Sequence, residues 1–273
     1  MDPLHDAHTP AHAAIDRALS RHRGGPLIVG IAGAQGSGKS TLAARLARTF
    51  GAGGLRVATL SIDDLYLPRA DRLALAATEH PLWATRGPPG THDIALGHRL
   101  FDALAGTGAV RLPRFDKTAD DRLPVSAWPV VAAPVDLILF EGWLVGARPQ
   151  DAAALAAPVN TLERDEDVDG RWRRRANALL ATLYQPLFAR IAVQILLAAP
   201  TFAVVHRWRA EQEAALPHPA MDAAALARFI AHYERLTRHI LAEMPVRADC
   251  VIALDANRRV VTPPGRPCHT PAA

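Results

Sequence analysis

The sequence predicts an α/β protein with three layers, in which a mainly parallel sheet is covered by helices on both faces. Two observations predict this fold class. Short apolar runs alternate with longer helical runs along most of the 273 residues, as in strands joined by helical crossovers. In addition, a glycine-rich turn joins the first strand to a helix, an arrangement that α/β proteins use to hold phosphate groups.

Five strands are predicted from apolar runs. They cover residues 27–32, 55–61, 135–140, 191–197 and 251–254. The third run is apolar along almost its whole length, which predicts that this strand is buried on both faces of the sheet.

Helices are predicted over residues 42–50, 94–105 and 221–244, with a short helix over 10–21 that precedes the core. In the last long helix, apolar side chains fall at helical spacing and are expected to pack against the core. They are Leu226, Phe229, Ile230, Tyr233 and Leu236. Segments 81–92 and 113–124 are rich in Pro, Gly, Arg and Asp, which predicts loops. We expect an N-terminal helical extension (1–24), one domain (25–261) and a proline-rich tail (262–273).

Composition excludes several classes of protein. Hydrophobic residues make up 49% of the chain, which argues against disorder, and a net charge of +4 does not by itself indicate nucleic-acid binding. No apolar run reaches the roughly 18–20 residues of a membrane helix, and the N-terminus lacks a signal-peptide pattern. Cys250 and Cys268 have no metal-site spacing. We expect a cytoplasmic protein that acts on a small molecule, with its oligomeric state open.

The most specific motif is the turn after the first strand, which matches G-x-x-x-x-G-K-[ST] at every fixed position. Its glycines allow backbone N–H groups to face phosphate oxygens, Lys39 is expected to reach the β- and γ-phosphates, and the Ser40 hydroxyl to bind Mg²⁺. The alternative is a turn that only joins strand to helix. The predicted ATP-binding residues are Gly33, Ala34, Gln35, Gly36, Ser37, Gly38, Lys39, Ser40 and Thr41.

Three acidic residues follow predicted strands. Asp63 and Asp64 come after the second strand and Glu141 after the third, so all three should lie at the sheet edge that carries the phosphate-binding turn. We expect Asp63 to orient or deprotonate the acceptor hydroxyl, and Glu141 to bind Mg²⁺ with Ser40, directly or through water. The alternatives are a helix cap for the two aspartates and a solvated loop acid for Glu141.

The predicted loops 81–92 and 113–124 contain arginine residues. Because arginine binds carboxylates bidentately, these loops offer groups for an anionic acceptor. The alternative is that both loops are solvated surface segments, and His92 alone fits a structural role equally well. The expected acceptor-binding residues are Asp64, Tyr66, Arg86, Thr91, His92, Asp93, Arg114 and Lys117.

Two basic clusters remain. Arg207 and Arg209 follow the fourth strand, where a lid over the phosphates could start, and a structural role is about equally compatible with them. The segment 171–175 holds four arginines and is better explained as a solvated helix face than as a lid.

The sequence resembles a known family, the D-glycerate 3-kinases of the plant and fungal type. Those enzymes belong to the phosphoribulokinase, uridine kinase and pantothenate kinase group of P-loop kinases. The resemblance covers residues 25–256. It is carried by Ser61-Ile-Asp-Asp-Leu-Tyr66, Arg86-Gly with Gly90-Thr-His-Asp93, Pro113-Arg-Phe-Asp-Lys117, Phe140-Glu-Gly-Trp143, Arg207-Trp-Arg-Ala-Glu-Gln-Glu213 and the segment 229–241.

The resemblance implies a P-loop NTPase fold and phosphoryl transfer from Mg²⁺–ATP to a hydroxyl group, most specifically from D-glycerate to 3-phosphoglycerate. It implies that Asp63 and Glu141 are the family's acidic residues, and that Arg207 and Arg209 are its lid arginines. Other acceptors remain open: pantothenate, a nucleoside or a sugar phosphate. A protein of another class, an ATPase switch without a small-molecule acceptor, also remains open.

Overall fold

The computed structural model describes residues 5–214 and 221–261. The strands, in chain order, are β1 (Leu27–Gly33), β2 (Val57–Ser61), β3 (Gly108–Arg111), β4 (Phe115–Asp116), β5 (Asp121–Arg122), β6 (Val130–Ala133), β7 (Leu137–Gly142), β8 (Val193–Ala198) and β9 (Cys250–Ala253). The helices are α1 (His5–Leu19), α2 (Lys39–Ala52), α3 (Arg69–Thr78), α4 (Ile94–Ala105), α5 (Thr161–Glu166), α6 (Arg171–Leu179), α7 (Gln185–Phe188), α8 (Phe202–Ala214) and α9 (Ala223–Glu243).

The main sheet has five strands in the order β2-β7-β1-β8-β9, and every neighbouring pair is parallel. β1 is central, and the chain crosses from it first toward the β2 edge and later toward the β9 edge. Ligands of open parallel sheets bind beyond the carboxyl ends of the strands at such a switch point. The predicted parallel sheet is confirmed, and the ends of its strands lie within two residues of those expected.

Helices cover both faces of the sheet, which confirms the predicted three layers. On one face, α1, α2 and α8 pack on side chains such as Val29, Leu139 and Ile195. On the other face, α4, α7 and α9 pack on side chains such as Ile138 and Phe140. Alternate residues of each strand therefore face opposite layers, as the pleat requires.

The N-terminal helix α1 is part of this packing. Ala7, Ala11 and Ile15 are fully buried in the apolar cluster that also contains residues of β1 and α2. The predicted boundary after residue 24 thus separates two parts of one packed unit. The proline-rich tail (262–273), including Cys268, lies outside the described residues.

Several elements were not predicted. The loop 113–124 contains the β4–β5 hairpin, whose strands of two residues each are too short for a periodic pattern. The interpretation of 171–175 as a solvated helix face is wrong at Arg173, which is buried and pairs with Asp167 at 2.9 Å. Within the described ranges, no helix has the length and hydropathy that crossing a membrane requires.

Candidate active site

The predicted phosphate-binding turn lies between β1 and α2, at the carboxyl edge of the sheet. Gly36 and Gly38 have φ angles of +77° and +88°, a region that strongly favours glycine. A Cβ atom on Gly36 would also lie 2.7 Å from Cβ of Trp208, so α8 packs directly against the turn. The turn therefore has the curled backbone that a P-loop needs, and α2 begins at Lys39 with its N-terminus toward the same edge.

Two side chains of the P-loop have buried oxygen atoms without a hydrogen-bond partner in the described part of the chain. They are Oε1 of Gln35 and Oγ of Ser37. The carbonyl of Gly36 accepts a hydrogen bond of 2.7 Å from Nε of Arg258, which secures the turn from outside. The curled backbone fits the phosphate groups of a nucleotide, and the Ser37 hydroxyl can donate a hydrogen bond to a phosphate oxygen.

Ser40 and Glu141 connect the first turn of α2 to the end of β7. The Ser40 hydroxyl donates to Oε1 of Glu141 at 2.9 Å, and Oε2 of Glu141 is buried without a hydrogen-bond partner among the described residues. These hard oxygen atoms fit Mg²⁺. Residues 5–214 and 221–261 hold no cluster of three or more His, Cys, Asp or Glu that could bind a metal. Mg²⁺ commonly takes one or two protein ligands together with substrate phosphates, and this pair matches that pattern.

Asp63 lies in a short turn after β2, and its carboxylate is close to hydrogen-bond donors and positive charges. Its Oδ2 accepts from Nζ of Lys117 at 2.7 Å, and its Oδ1 from the Tyr66 hydroxyl at 3.0 Å. Burial alone would raise the pKa of Asp63, but the positive charges of Lys117 and Lys39 outweigh it and hold that pKa well below its usual range. Asp63 is therefore ionised at neutral pH, and the influence of Lys39 shows that it lies near the P-loop.

Asp64 has a different role from its neighbour. Its carboxylate accepts from the backbone N–H of Phe115 at 3.1 Å and from Arg114 at 3.3 Å, so it holds the β4–β5 hairpin. Burial raises the pKa of Asp64 to about 6, against the opposing effect of Arg114. Neither aspartate is a helix cap, because the Ser61 side chain accepts the capping hydrogen bond at this turn. Asp64 and Arg114 bind each other in this structure, and their contact with an acceptor stays a prediction.

Arg86 begins the segment 86–93, here called the acceptor loop. Its guanidinium pairs with the Asp120 carboxylate and lies 5.6 Å and 5.7 Å from the ring centres of Phe115 and Phe229. Asp120 is held in turn by the fully buried Arg72, which pairs with its carboxylate at 2.9 Å. Asp120 has a φ angle of +54°, which is uncommon for a residue with a side chain. A buried network thus orients the Arg86 guanidinium.

Two other residues of the acceptor loop differ from the prediction, because their side chains stabilise the loop itself. Thr91 is fully buried, and its hydroxyl donates to the Pro88 carbonyl at 2.8 Å and accepts from the Gly87 N–H at 3.0 Å. Asp93 caps α4 by accepting from the N–H of Leu96 at 2.8 Å. The Thr91 hydroxyl is thus committed to the backbone, whereas the second carboxylate oxygen of Asp93 lies 3.6 Å from Nη1 of Arg122.

His92 and Tyr66 form a stacked pair at the site, with ring centres 4.6 Å apart. The His92 ring is buried, and its Nδ1 lies 2.8 Å from the Tyr184 hydroxyl. Burial lowers the pKa of His92 to about 3, although the Asp63 carboxylate acts in the opposite direction. His92 is therefore neutral at physiological pH and offers a hydrogen bond rather than a positive charge.

The two candidate lid arginines point in different directions. The Arg209 guanidinium lies 5.6 Å from the ring centre of Phe229 and pairs with Glu213 at 2.8 Å. The ring of Phe229 is thus contacted by Arg209 and also by Arg86. Arg207, two positions earlier on α8, contacts the Ala256 carbonyl on the other side of the helix and is half-exposed. Of the two, only Arg209 lies on the acceptor side.

Known proteins are similar to this chain in sequence and in fold. A family model described as "Methylmalonyl Co-A mutase-associated GTPase MeaB" matches residues 3–66, which contain β1, the P-loop and β2. Over a longer stretch, the chain is 34% identical to the uncharacterized kinase mug58 of Schizosaccharomyces pombe. That match spans 224 residues, 77% of this chain and 79% of mug58. The chain belongs to this family of P-loop kinases.

The kinase is also 28% identical over 249 residues to the chloroplastic D-glycerate 3-kinase of Arabidopsis thaliana. The match covers 84% of this chain and 52% of the plant protein, so the chain spans about half of that relative's length. A solved structure of D-glycerate 3-kinase from Cryptococcus neoformans var. grubii superposes with a TM-score of 0.76 at 22% identity, covering 96% of this chain and 98% of that one. The expected resemblance and the P-loop kinase fold are confirmed.

Membership in a kinase family means that the protein is an ATP-dependent phosphotransferase, and it disfavours an ATPase switch without an acceptor. Sequence reasoning missed three residues that hold Arg86 or His92 in place: Arg72, Asp120 and Tyr184. None of them belongs to a recognisable motif. Phe229 packs against the core, as predicted, and its half-buried ring also contacts Arg86 and Arg209.

Proposed function

We propose that the kinase transfers the γ-phosphoryl group of ATP to the 3-hydroxyl of D-glycerate and releases 3-phosphoglycerate. The observation that carries this proposal is the ion pair of Asp63 with Lys117, which places a hydrogen-bond acceptor for a hydroxyl next to a cation for a carboxylate. Glycerate carries both groups on a three-carbon frame. The similarity to two D-glycerate 3-kinases supports the same acceptor.

On the nucleotide side, we assign the P-loop backbone and Lys39 to the phosphates of ATP. Ser40 and Glu141 would hold Mg²⁺, which neutralises charge on the β- and γ-phosphates when bound. The hydrogen bond between these two side chains sets their oxygen atoms beside the first turn of α2. Phosphoryl transfer requires mainly positioning and charge stabilisation from the protein, so a preformed pair of ligands is well suited to it.

On the acceptor side, we assign Asp63 to the hydroxyl group and Arg86 with Lys117 to the carboxylate. The low pKa of Asp63 makes it a weak base while Lys117 is its partner. A strong base is not needed in the loose transition state of phosphoryl transfer, so Asp63 acts first by accepting a hydrogen bond from the hydroxyl and orienting it. When Lys117 turns to the acceptor carboxylate, the Asp63 carboxylate becomes available for that hydroxyl.

Beyond the ion pair, four cations surround this side of the site, namely Arg72, Arg86, Arg114 and Lys117. These cations pair with three aspartates: Arg72 and Arg86 with Asp120, Arg114 with Asp64, and Lys117 with Asp63. Burial raises the pKa of Asp64, so the negative charge on this side is further reduced near pH 6. The positive charges of Arg86 and Lys117 favour an anionic acceptor over a neutral one.

The test measures ADP release from ATP with Mg²⁺ in the presence of D-glycerate, L-glycerate, pantothenate, uridine or ribulose 5-phosphate. We expect selective stimulation by D-glycerate and loss of turnover when Mg²⁺ is chelated. Stimulation by a different compound would retain the kinase and reject glycerate. The position of the phosphate is decided by adding enolase, which consumes 2-phosphoglycerate directly but acts on 3-phosphoglycerate only after a mutase is supplied.

A further inference from the structure

Tyr184 ends a π-helical turn, Leu180–Tyr184, between α6 and α7. Such turns are rare and frequently occur at functional sites. Here the turn carries the fully buried Tyr184 ring to the acceptor loop, where its hydroxyl meets two groups. The backbone N–H of Gly90 donates to the hydroxyl oxygen at 2.8 Å, and Nδ1 of His92 lies 2.8 Å from the same oxygen.

These contacts determine which atom of the His92 ring carries the proton. A backbone N–H can only donate, so the Tyr184 oxygen accepts from Gly90. Burial raises the pKa of Tyr184, against the effect of the amide hydrogen bond from Gly90, so the hydroxyl keeps its proton. Nδ1 of His92 is the acceptor at hydrogen-bond distance from that hydroxyl. If Nδ1 instead donated to the same oxygen, the buried Tyr184 proton would have no acceptor among the described residues, so the arrangement that satisfies the hydroxyl has Nδ1 accepting and the ring proton on Nε2.

Nε2 of His92 is a hydrogen-bond donor whose partner is not found in the described part of the chain, although the atom is buried. A buried donor without a partner costs about 1–3 kcal/mol, so a bound molecule that supplies an acceptor at this position would gain from the contact. The His92 ring stacks on Tyr66, whose hydroxyl donates to Asp63. The unpaired donor thus belongs to the group of side chains that surrounds the proposed acceptor hydroxyl.

We propose that Tyr184 is a positioning residue that fixes His92 as its neutral Nε2–H tautomer, so that the imidazole donates a hydrogen bond to an oxygen atom of the hydroxy acid beside Asp63. This inference rests on the proposed function, because the hydroxy acid supplies the oxygen. A neutral donor suits the position. A charged imidazolium would attract the Asp63 carboxylate and compete with the acceptor hydroxyl for it.

The first test observes the tautomer directly and needs no substrate. The full-length chain is labelled with ¹⁵N-histidine, and two-bond ¹H–¹⁵N correlations are recorded near neutral pH, with the His92 signals assigned by their loss in His92→Gln. We expect the pattern of a neutral ring protonated at Nε2. A ring protonated at Nδ1, or an imidazolium, would overturn the proposal. If D-glycerate is not phosphorylated, the proposed function fails, whereas this spectrum still decides the tautomer.

The second test separates positioning from a merely structural role. Tyr184→Phe keeps the ring but removes the hydroxyl, so His92 should show a mixture of tautomers. We expect KM for D-glycerate to rise about 10-fold while KM for ATP stays unchanged. Unaltered tautomers and kinetics in a folded variant would contradict the proposal.

A matched pair at His92 adds a rescue measurement. Glutamine can place an N–H near the position of Nε2, whereas asparagine can reach only the position of Nδ1. We therefore expect His92→Gln to retain at least several-fold more kcat/KM for D-glycerate than His92→Asn. Equal losses in the two variants, or equal losses toward ATP and D-glycerate, would show that His92 only packs the loop.

Discussion

Nζ of Lys117 lies 2.7 Å from Oδ2 of Asp63, so the β4–β5 hairpin is joined to the turn after β2 by an ion pair at the centre of the proposed acceptor site. The partners are 54 positions apart in the sequence. Coulomb attraction to Asp63 raises the pKa of Lys117, while Lys117 lowers that of Asp63. Both groups are therefore charged throughout the neutral range, and the first two predictions follow from their roles.

Asp63→Asn should lower kcat by about 100-fold or more with little change in KM for ATP, because the carboxylate is assigned to the acceptor hydroxyl. Steady-state kinetics with D-glycerate and ATP varied separately measure both constants. Asp64→Asn is the matched comparison and should lower kcat much less, since Asp64 holds the hairpin. Unchanged turnover in Asp63→Asn would transfer the role to Asp64 or His92.

Lys117→Met should raise KM for D-glycerate by about 10–100-fold, the effect of losing a hydrogen bond to a charged group. Lys117 lowers the pKa of Asp63, so the substitution should raise that pKa and move the acidic limb of the pH–rate profile to higher pH. Arg111→Met, which removes an exposed cation on β3, is the control and should change neither value. A shift of the acidic limb to lower pH would contradict the electrostatic assignment.

Glu141→Gln should raise the Mg²⁺ concentration required for half-maximal activity by about 10-fold or more, because the amide retains one oxygen but loses the charge. Activity is measured across a Mg²⁺ titration at constant ATP. Glu166→Gln, which alters a surface pair with Arg228, provides the control. An unchanged Mg²⁺ requirement in Glu141→Gln would leave Glu141 as a structural partner of Ser40.

Asp64 should make stability depend on pH. Its pKa of about 6 in the folded state exceeds the value of about 3.9 in an unfolded chain, so the folded state binds more protons between these values. The free energy of unfolding should therefore fall as pH rises through this window. Relative to Asp64→Asn, the wild type should lose about 2–3 kcal/mol between about pH 4 and pH 7. Chemical denaturation of both proteins over this range measures the difference, and a constant difference would refute the shift.

Arg209→Met and Arg207→Met form a matched pair two residues apart on α8. Arg209 stacks on Phe229 on the acceptor side, whereas Arg207 contacts the Ala256 carbonyl on the other side. We expect Arg209→Met to lower kcat by about 10-fold or more, and Arg207→Met to change it less than about 2-fold, because only Arg209 can stabilise charge near the transferred phosphoryl group. Equal kinetics would remove the proposed lid function from Arg209.

The spatial arrangement of residues that are close in sequence could be predicted, because the local sequence determines the backbone conformation that joins them. The P-loop follows from the spacing of Gly33, Gly38 and Lys39, and its curled backbone depends on glycines within the same turn. Asp63 and Glu141 could be placed at the same edge because each follows a buried strand, and parallel strands end together. The alternation of strands and helices likewise determined the class of fold before any contact was known.

Only the tertiary structure decided which side chains meet. The sequence predicted that Asp63 orients the acceptor hydroxyl and that Asp64 contacts the acceptor, but only the folded hairpin showed their partners, which are Lys117 for Asp63 and Arg114 for Asp64. Thr91 and Asp93 were predicted to bind the acceptor, but their nearest partners turned out to be the backbone of their own loop and helix.

The contacts of Tyr184 and Arg72 could not be predicted from the sequence, because their partners lie far away along the chain. Tyr184 reaches His92 across 92 positions, and Arg72 reaches Asp120 across 48, without any motif that links them. A hydrogen bond depends on distance and angle at the level of tenths of an ångström, and these are set by the packing of whole helices against the sheet. The sequence alone determined the nucleotide-binding half and the reaction class, whereas packing decided the acceptor side, because its partners come together only when the chain is folded.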